Sequence, residues 1–339
     1  MKKFVELPLV DPIYGTYHNQ GNATAACAAN PSIRNWYLNN VMNLTCERRF
    51  LRGYTTPEID ILNSDWVKNP HYERYWFHMR FLKGYTHKVI REFLDQGFYV
   101  VFNGIDDYYV DGKSFYKERH FKHDGMICGY NQEEKTYCIY AYDQKWIYQK
   151  FWTPQKSFEA GRKAMFKKGH YDLICGIKPK DVNVEIDCGL IIKNLKEYLD
   201  SSMEKYPQNE DGKVYGIVVH DYISMYLNRI YTGEVPRERI DHRILRLIWE
   251  HKRAMLERIE KVEEELKLGS KFSDEYKEVL AEADKMRMIY AAYHLRAKKS
   301  ALLLVCEKIL DIKNREKEIL HEFILKAERV MSNNALETN

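Results

Sequence analysis

Beyond Pro236 the chain has no further proline and a single glycine, Gly269, while Glu, Lys, Leu and Arg are dense throughout. Proline and glycine are the residues that break helices, so a stretch this long without them is committed to long helices. Two apolar stripes run through it. Leu245, Ile248, Met255, Ile259, Val262 and Leu266 recur at helical spacing, with Lys252 as the one break. Val279, Ala283, Met286, Tyr290, Tyr293, Ala297, Ala301 and Leu304 step by three and four, as on one long helix. Gly269-Ser270 reads as the stop between them, and Ser273 as a helix N-cap. Stripes joined by so short a turn pack antiparallel, which predicts a helical bundle. Shorter helices fit residues 190–203, 214–230 and 312–331.

The part before this has a different character. Of the tryptophans, 36, 66, 76, 146 and 152 all precede residue 153, and beyond residue 241 the only tyrosines are 276, 290 and 293. Strand signals concentrate between residues 98 and 178. Phe98-Tyr-Val-Val-Phe102 follows Gly97 and ends at Asn103-Gly104; residues 125–130 and 136–142 flank the polar Asn131-Gln-Glu-Glu-Lys135 as a hairpin. Residues 145–152 and 172–177 add two more strands, and helices are expected over 23–39 and 86–96. The whole reads as α+β: a mixed domain with an antiparallel sheet over 1–182, then an all-α domain over 183–339.

Composition removes several classes. At 339 residues the chain exceeds what one core usually carries. Its formal charge of +4 arises from 53 basic and 49 acidic residues with the signs interspersed, so the concentrated basic footprint of a nucleic-acid binder is missing. No apolar run approaches the ~20 residues of a membrane span, and Met1-Lys-Lys-Phe-Val-Glu-Leu7 lacks a signal peptide's apolar region. A cytoplasmic location is the expectation. Seven cysteines without a Cys-x-x-Cys pair argue against a disulfide scaffold and a zinc ribbon.

One cysteine has chemistry-bearing surroundings. In Asn19-Gln-Gly-Asn-Ala-Thr-Ala-Ala-Cys27, a glycine loop gives way to small residues and then a helix. That pattern predicts Cys27 in the first turns, where the helix dipole stabilises a thiolate. His123 lies just before one strand of the predicted hairpin, and Asp143 ends its partner. An antiparallel hairpin makes those positions neighbours, so Asp143 is expected to orient the His123 imidazole. Gln20 is the candidate side-chain oxyanion donor. Cys46 and Cys128 are rival nucleophiles, the second better explained as core packing. His120 is the rival base, without an equally good acidic partner in the hairpin. A metal on His120 and His123 lacks further ligands at a recognisable spacing, so no metal is expected.

Asn19-Gln20-Gly21 before Cys27 is similar to the Gln-Gly that precedes the papain nucleophile, with one residue more between Gln and Cys. A longer block comprises the strand 98–102, Ile105-Asp-Asp-Tyr-Tyr109, Tyr116 to His123, Gly129-Tyr130 and Tyr140-Ala-Tyr-Asp143. Over residues 15–180 it resembles the N-terminal domain of butirosin-type acyltransferases, papain-like relatives of the C39 peptidases. Within that group it looks closest to amide synthetases of the kind used in closthioamide biosynthesis, an antibiotic pathway of nonribosomal-peptide type. The resemblance implies that Cys27 takes an acyl chain from a carrier-protein thioester, with His123 as base and Asp143 as orienter. Transfer to an amine or diamine then forms an amide. It also implies an acyl or peptidyl carrier protein as partner, and no bound cofactor beyond the phosphopantetheine thioester that the carrier supplies. The longer Gln-to-Cys spacing weakens Gln20 as the oxyanion donor, and the absence of Cys-Gly or Cys-Trp after the nucleophile weakens a protease reading.

Tyr108 and Tyr109, with His120, are candidates to line the substrate site. The aromatic stretch from Trp66 to Tyr85 fits core or interface better than an acyl pocket. Arg296, Lys298 and Lys299 fit a solvated face better than a carrier-docking surface. Three functions remain open: acyl transfer to an amine, hydrolysis by a protease or thioesterase of the same fold, and a binding protein whose triad is only apparent.

Overall fold

A computed structural model describes residues 2–53, 56–65, 67–82, 84–167, 173–202, 212–296 and 299–337. In chain order its regular elements are β1 (Phe4–Glu6), α1 (His18–Ala26), α2 (Ile33–Asn40), β2 (Leu44–Glu47), β3 (Asp60–Ile61), β4 (Tyr72–His78), α3 (Thr86–Asp95) and β5 (Tyr99–Asp106). Then come β6 (Lys122–Asn131), β7 (Thr136–Tyr142), β8 (Tyr148–Pro154), α4 (Gln155–Lys167), β9 (Leu173–Pro179), α5 (Cys188–Asp200) and β10 (Lys213–Tyr215). The remainder is helical: α6 (Val219–Thr232), α7 (Ile244–Leu266), α8 (Lys271–Arg296) and α9 (Ser300–Glu337). The protein is α+β, with an antiparallel sheet and a helical C-terminal region.

The chain forms two compact units, Met1–Arg34 with Asp65–Asn183, and Asn35–Ser64 with Val184–Asn339. The expected division at 182/183 is therefore incomplete, because residues 35–64 fold with the helical part. Arg258, wholly buried on α7, explains this: its guanidinium donates to the carbonyls of Leu38, Tyr37 and Val41 at the end of α2. His251 donates to the Met42 carbonyl at 2.8 Å, and β2 lies between β10 and β3 in a small antiparallel sheet.

In the first unit the sheet order is β4-β9-β5-β6-β7-β8, with β1 paired to β6 and every pair antiparallel. β5 is interior, and its run Tyr99-Val-Val-Phe102 is buried on both faces, as an interior strand requires. The core joins Val100, Phe102, Ile127, Ile139 and Ile174 of the sheet to Ile90 and Leu94 of α3 and Phe158 of α4.

Three elements differ from expectation. The helix expected over 23–39 is split, because Pro31 forces Asn30 into extended backbone between α1 and α2. The stripe from Val279 to Leu304 spans two helices. Val279 to Tyr293 lie on α8, Ala301 and Leu304 on α9, Ala297 falls outside the described residues, and Leu304 is exposed. The aromatic stretch is largely an edge strand: Tyr75, Trp76, Phe77, Phe81 and Tyr85 are exposed, while Trp66 lies outside the described residues.

Candidate active site

α1 begins at His18, nine residues before Cys27. At 1.5 Å per residue that places Cys27 about 13 Å from the start of the helix, at its C-terminal end. There the backbone dipole opposes a thiolate instead of favouring one. Cys27 is buried, its Sγ 3.3 Å from the Tyr72 hydroxyl, which itself donates to the Ala23 carbonyl at 2.6 Å. Burial pushes the thiol up to about 11. The expected pairing of Cys27 with His123 is not formed: the helix runs on from residue 18, so small residues that looked like a loop before a helix are its interior. Gln20 is buried in α1, seven residues and about 10 Å along the helix from Cys27, too far to share an oxyanion with it.

The side chain that the N-terminal end of α1 brings to His123 is His18. The two rings are edge-on with centroids 4.3 Å apart. His18 Nε2 accepts the backbone N–H of Tyr142 at 3.2 Å, so Nδ1 carries the proton and donates to Asp124 Oδ1 at 2.8 Å. Burial lowers His18 to about 4; Asp124, although its own burial raises it, is lowered to about 2 chiefly by the hydrogen bond from His18, with Lys113 nearby. His18 is therefore a neutral imidazole with both nitrogens committed.

His123 is oriented by Asp107, not Asp143. Its Nδ1 lies 2.8 Å from Asp107 Oδ2, and its side chain keeps 19% exposure while Asp107 has none. Lys113, also without exposure, stands 3.3 Å from Asp107 Oδ1 and donates to the Asp124 carbonyl at 2.8 Å. With Nδ1–H donated to the carboxylate, Nε2 of His123 holds the lone pair. Asp143 spends its carboxylate on its own turn, accepting from the backbone N–H groups of Lys145 and Ile147 and from the Gln149 amide. Those bonds hold it below the usual carboxylate range although burial opposes them.

The carboxylate on His123 comes not from the hairpin partner β7 but from the other neighbour of β6. β5 also runs antiparallel to it, with Ile105 opposite His123 and Asp106 opposite Lys122, and it delivers Asp106-Asp107 at its end. Gly104, at φ +87°, accompanies the irregularity that separates Phe102 from Ile105 in this pairing. The consecutive carboxylates at the end of a buried strand were the available signal. Asp106, fully buried, orients a second imidazole: its Oδ2 is 2.9 Å from His120 Nδ1, while Oδ1 accepts from the Tyr108 and Phe121 amides. His120 thus has the acidic partner that the hairpin did not offer it. Tyr108 and Tyr109 do gather around it, with ring centroids 4.4 and 5.7 Å from the imidazole.

His18, His123 and Asp124 offer ligand atoms within 4.8 Å of one another. A metal there would need Nδ1 of His18, and Nε2 would then carry the ring proton against the Tyr142 N–H. The donor set fits a hydrogen-bonded network better than a metal. Among the rival thiols, Cys46 and Cys128 are buried and pushed up by burial, Cys128 chiefly by the neighbouring Cys138 at 3.5 Å.

The geometry therefore offers a partly exposed histidine, a carboxylate that orients it, a buried lysine and a neutral second imidazole. Among the described residues no helix is long and apolar enough to cross a membrane. No family model matches the sequence, and no curated protein matches it either.

Proposed function

We propose that the protein is an acyltransferase in which His123, oriented by Asp107, is the general base for direct transfer from a thioester to an amine. One observation carries the reading: the 2.8 Å contact between His123 Nδ1 and Asp107 Oδ2, which leaves Nε2 as a lone-pair acceptor on a partly exposed ring. The papain-like resemblance supports acyl chemistry and a carrier-borne thioester; the reading departs from it in using no covalent cysteine step, because Cys27 is buried against Tyr72 at the C-terminal end of α1.

In this mechanism the amine nitrogen attacks the thioester carbonyl and His123 Nε2 takes its proton. The tetrahedral intermediate collapses, the C–S bond breaks, and the imidazolium returns the proton to the leaving thiolate. Thioester and amine become amide and thiol, with no redox change and no nucleotide. The cluster around His123 holds two carboxylates, Asp107 and Asp124, and the buried Lys113. Lys113 keeps the Asp107 carboxylate in place, and Tyr108, Tyr109 and His120 form a second ring cluster offered to a substrate.

The test is amide formation from a soluble acyl thioester and a diamine, followed by mass spectrometry. His123→Ala should lower the rate by about 10²–10⁴-fold, and Cys27→Ala should leave it unchanged. Abolition by Cys27→Ala, or an acyl adduct on that residue, would overturn direct transfer. Free acid in place of amide would make the same base a hydrolase.

A further inference from the structure

A second site lies on the first unit where α3 crosses β9 and the edge strand β4. Phe98 immediately precedes β5 and Asp106 ends it, so the length of that strand, roughly 25 Å, separates this place from the His123 cluster. A groove of about 450 Å³ opens here, within the size range of small-molecule sites. Its floor is a continuous set of rings. Tyr75 meets Phe98 at 5.5 Å between centroids, Phe98 meets Phe93 at 5.6 Å, and Phe93 meets Phe77 at 5.6 Å. Gly176 makes this possible, since a Cβ there would stand 2.6 Å from the Phe93 ring.

The charges around those rings decide the ligand. Glu73 and Glu92 line the groove with Lys178. Glu73 and Lys178 are cross-strand partners, yet the ammonium lies 5.3 Å over the Phe98 ring, and no ion pair joins it to either glutamate among the described residues. Glu92 accepts only a neutral amide proton, from Gln96 at 2.9 Å. Two carboxylates line a groove floored by aromatic faces, and the Phe98 face already attracts an ammonium, so the groove is complementary to a cation. We propose that this groove binds a small organic ammonium ion, alkylated enough to cover the rings. The site stands independently of the acyltransfer reading, because it shares no residue with His123 or its partners.

The experiment is an NMR titration of the full chain with choline and with its neutral isostere, 3,3-dimethylbutan-1-ol. Choline should bind about tenfold more tightly than the alcohol. Phe77→Leu and the double variant Glu73→Gln, Glu92→Gln should each weaken choline several-fold; all three residues are exposed, so the fold has little reason to suffer. Equal binding of the alcohol would reduce the groove to a generic apolar surface and overturn the proposal. So would absence of choline binding to the wild type, or choline binding that both variants leave unaltered.

Discussion

Each unit assembles lysine, histidine and carboxylate in one cluster, and the two clusters differ in access. In the first, His123 keeps a partly exposed ring whose Nδ1 is held by Asp107. In the second, Lys252, Glu316, Tyr198, Tyr276, His220 and His251 are all fully buried, drawn from α5, α6, α7, α8 and α9. Glu316 accepts from Lys252 at 2.6 Å, from the Tyr198 hydroxyl at 2.8 Å and from Tyr276. His251 donates Nε2–H to Met42 and accepts from Lys252; His220 donates Nδ1–H to Ile217. Both histidines are held well below their usual range and both tyrosines well above, chiefly by burial. The same residue types leave one imidazole partly exposed in the first cluster and seal every member of the second. A sealed ion pair is weak evidence for stability, since dehydrating both charges offsets most of their attraction, but removing one partner strands the other.

The comparison predicts opposite responses to substitution. Its largest expected effect is on catalysis: Asp107→Asn should lower amide formation by about 10²–10⁴-fold, with urea unfolding moved far less. Asparagine cannot hold His123 in the same tautomer, and comparable losses in rate and stability would erase the distinction between the clusters.

Next comes the sealed cluster. Lys252→Met alone should destabilise the protein by about 3–5 kcal/mol without changing the proposed amide-forming rate of the folded chain. Lys252→Met with Glu316→Leu should restore most of that stability, as urea denaturation would show. A double variant no better than the single would mean that the tyrosine hydroxyls depend on Glu316 more than the charge argument allows.

The buried His18 adds a pH dependence to the open cluster. It faces Asp124, Lys113 and His123, and stays neutral in the fold down to about pH 4, whereas the unfolded chain takes up a proton below the ordinary histidine value of 6.5. Stability is therefore present above pH 6.5 and falls as pH drops from there to about 4, by up to about 3 kcal/mol. The Asp124 contribution is lost only below 3.8, through about 2. Unfolding curves at pH 7, 5.5 and 4.5 would reveal the slope, and His18→Gln should flatten it. An unchanged slope in that variant would assign the dependence to another group. The smallest effect belongs to Asp143→Asn: it loosens a surface turn by about 1 kcal/mol or less and should leave the rate of amide formation alone.

Much of the fold was legible locally. The helical second half follows from the absence of proline and the apolar stripes, and even the break at Lys252 marked the sealed cluster. The hairpin of β6 and β7 carried its own turn and strand signals. The candidate site was half legible. His123, His120, Tyr108 and Tyr109 were named from the chain, but the carboxylate was assigned to the neighbouring strand on the wrong side.

By itself the sequence determined the fold class, the strong secondary elements and the residue types available for chemistry, because propensity and periodicity are local properties. The tertiary structure decided which residues meet. Only the antiparallel register of β5 against β6 sets Asp107 on His123. Only the continuous first helix carries Cys27 about 13 Å from its start and presents His18 instead. Only burial made one polar cluster a sealed device and left the other an open base. These are long-range facts, created when distant segments exclude water together, and no local pattern encodes them.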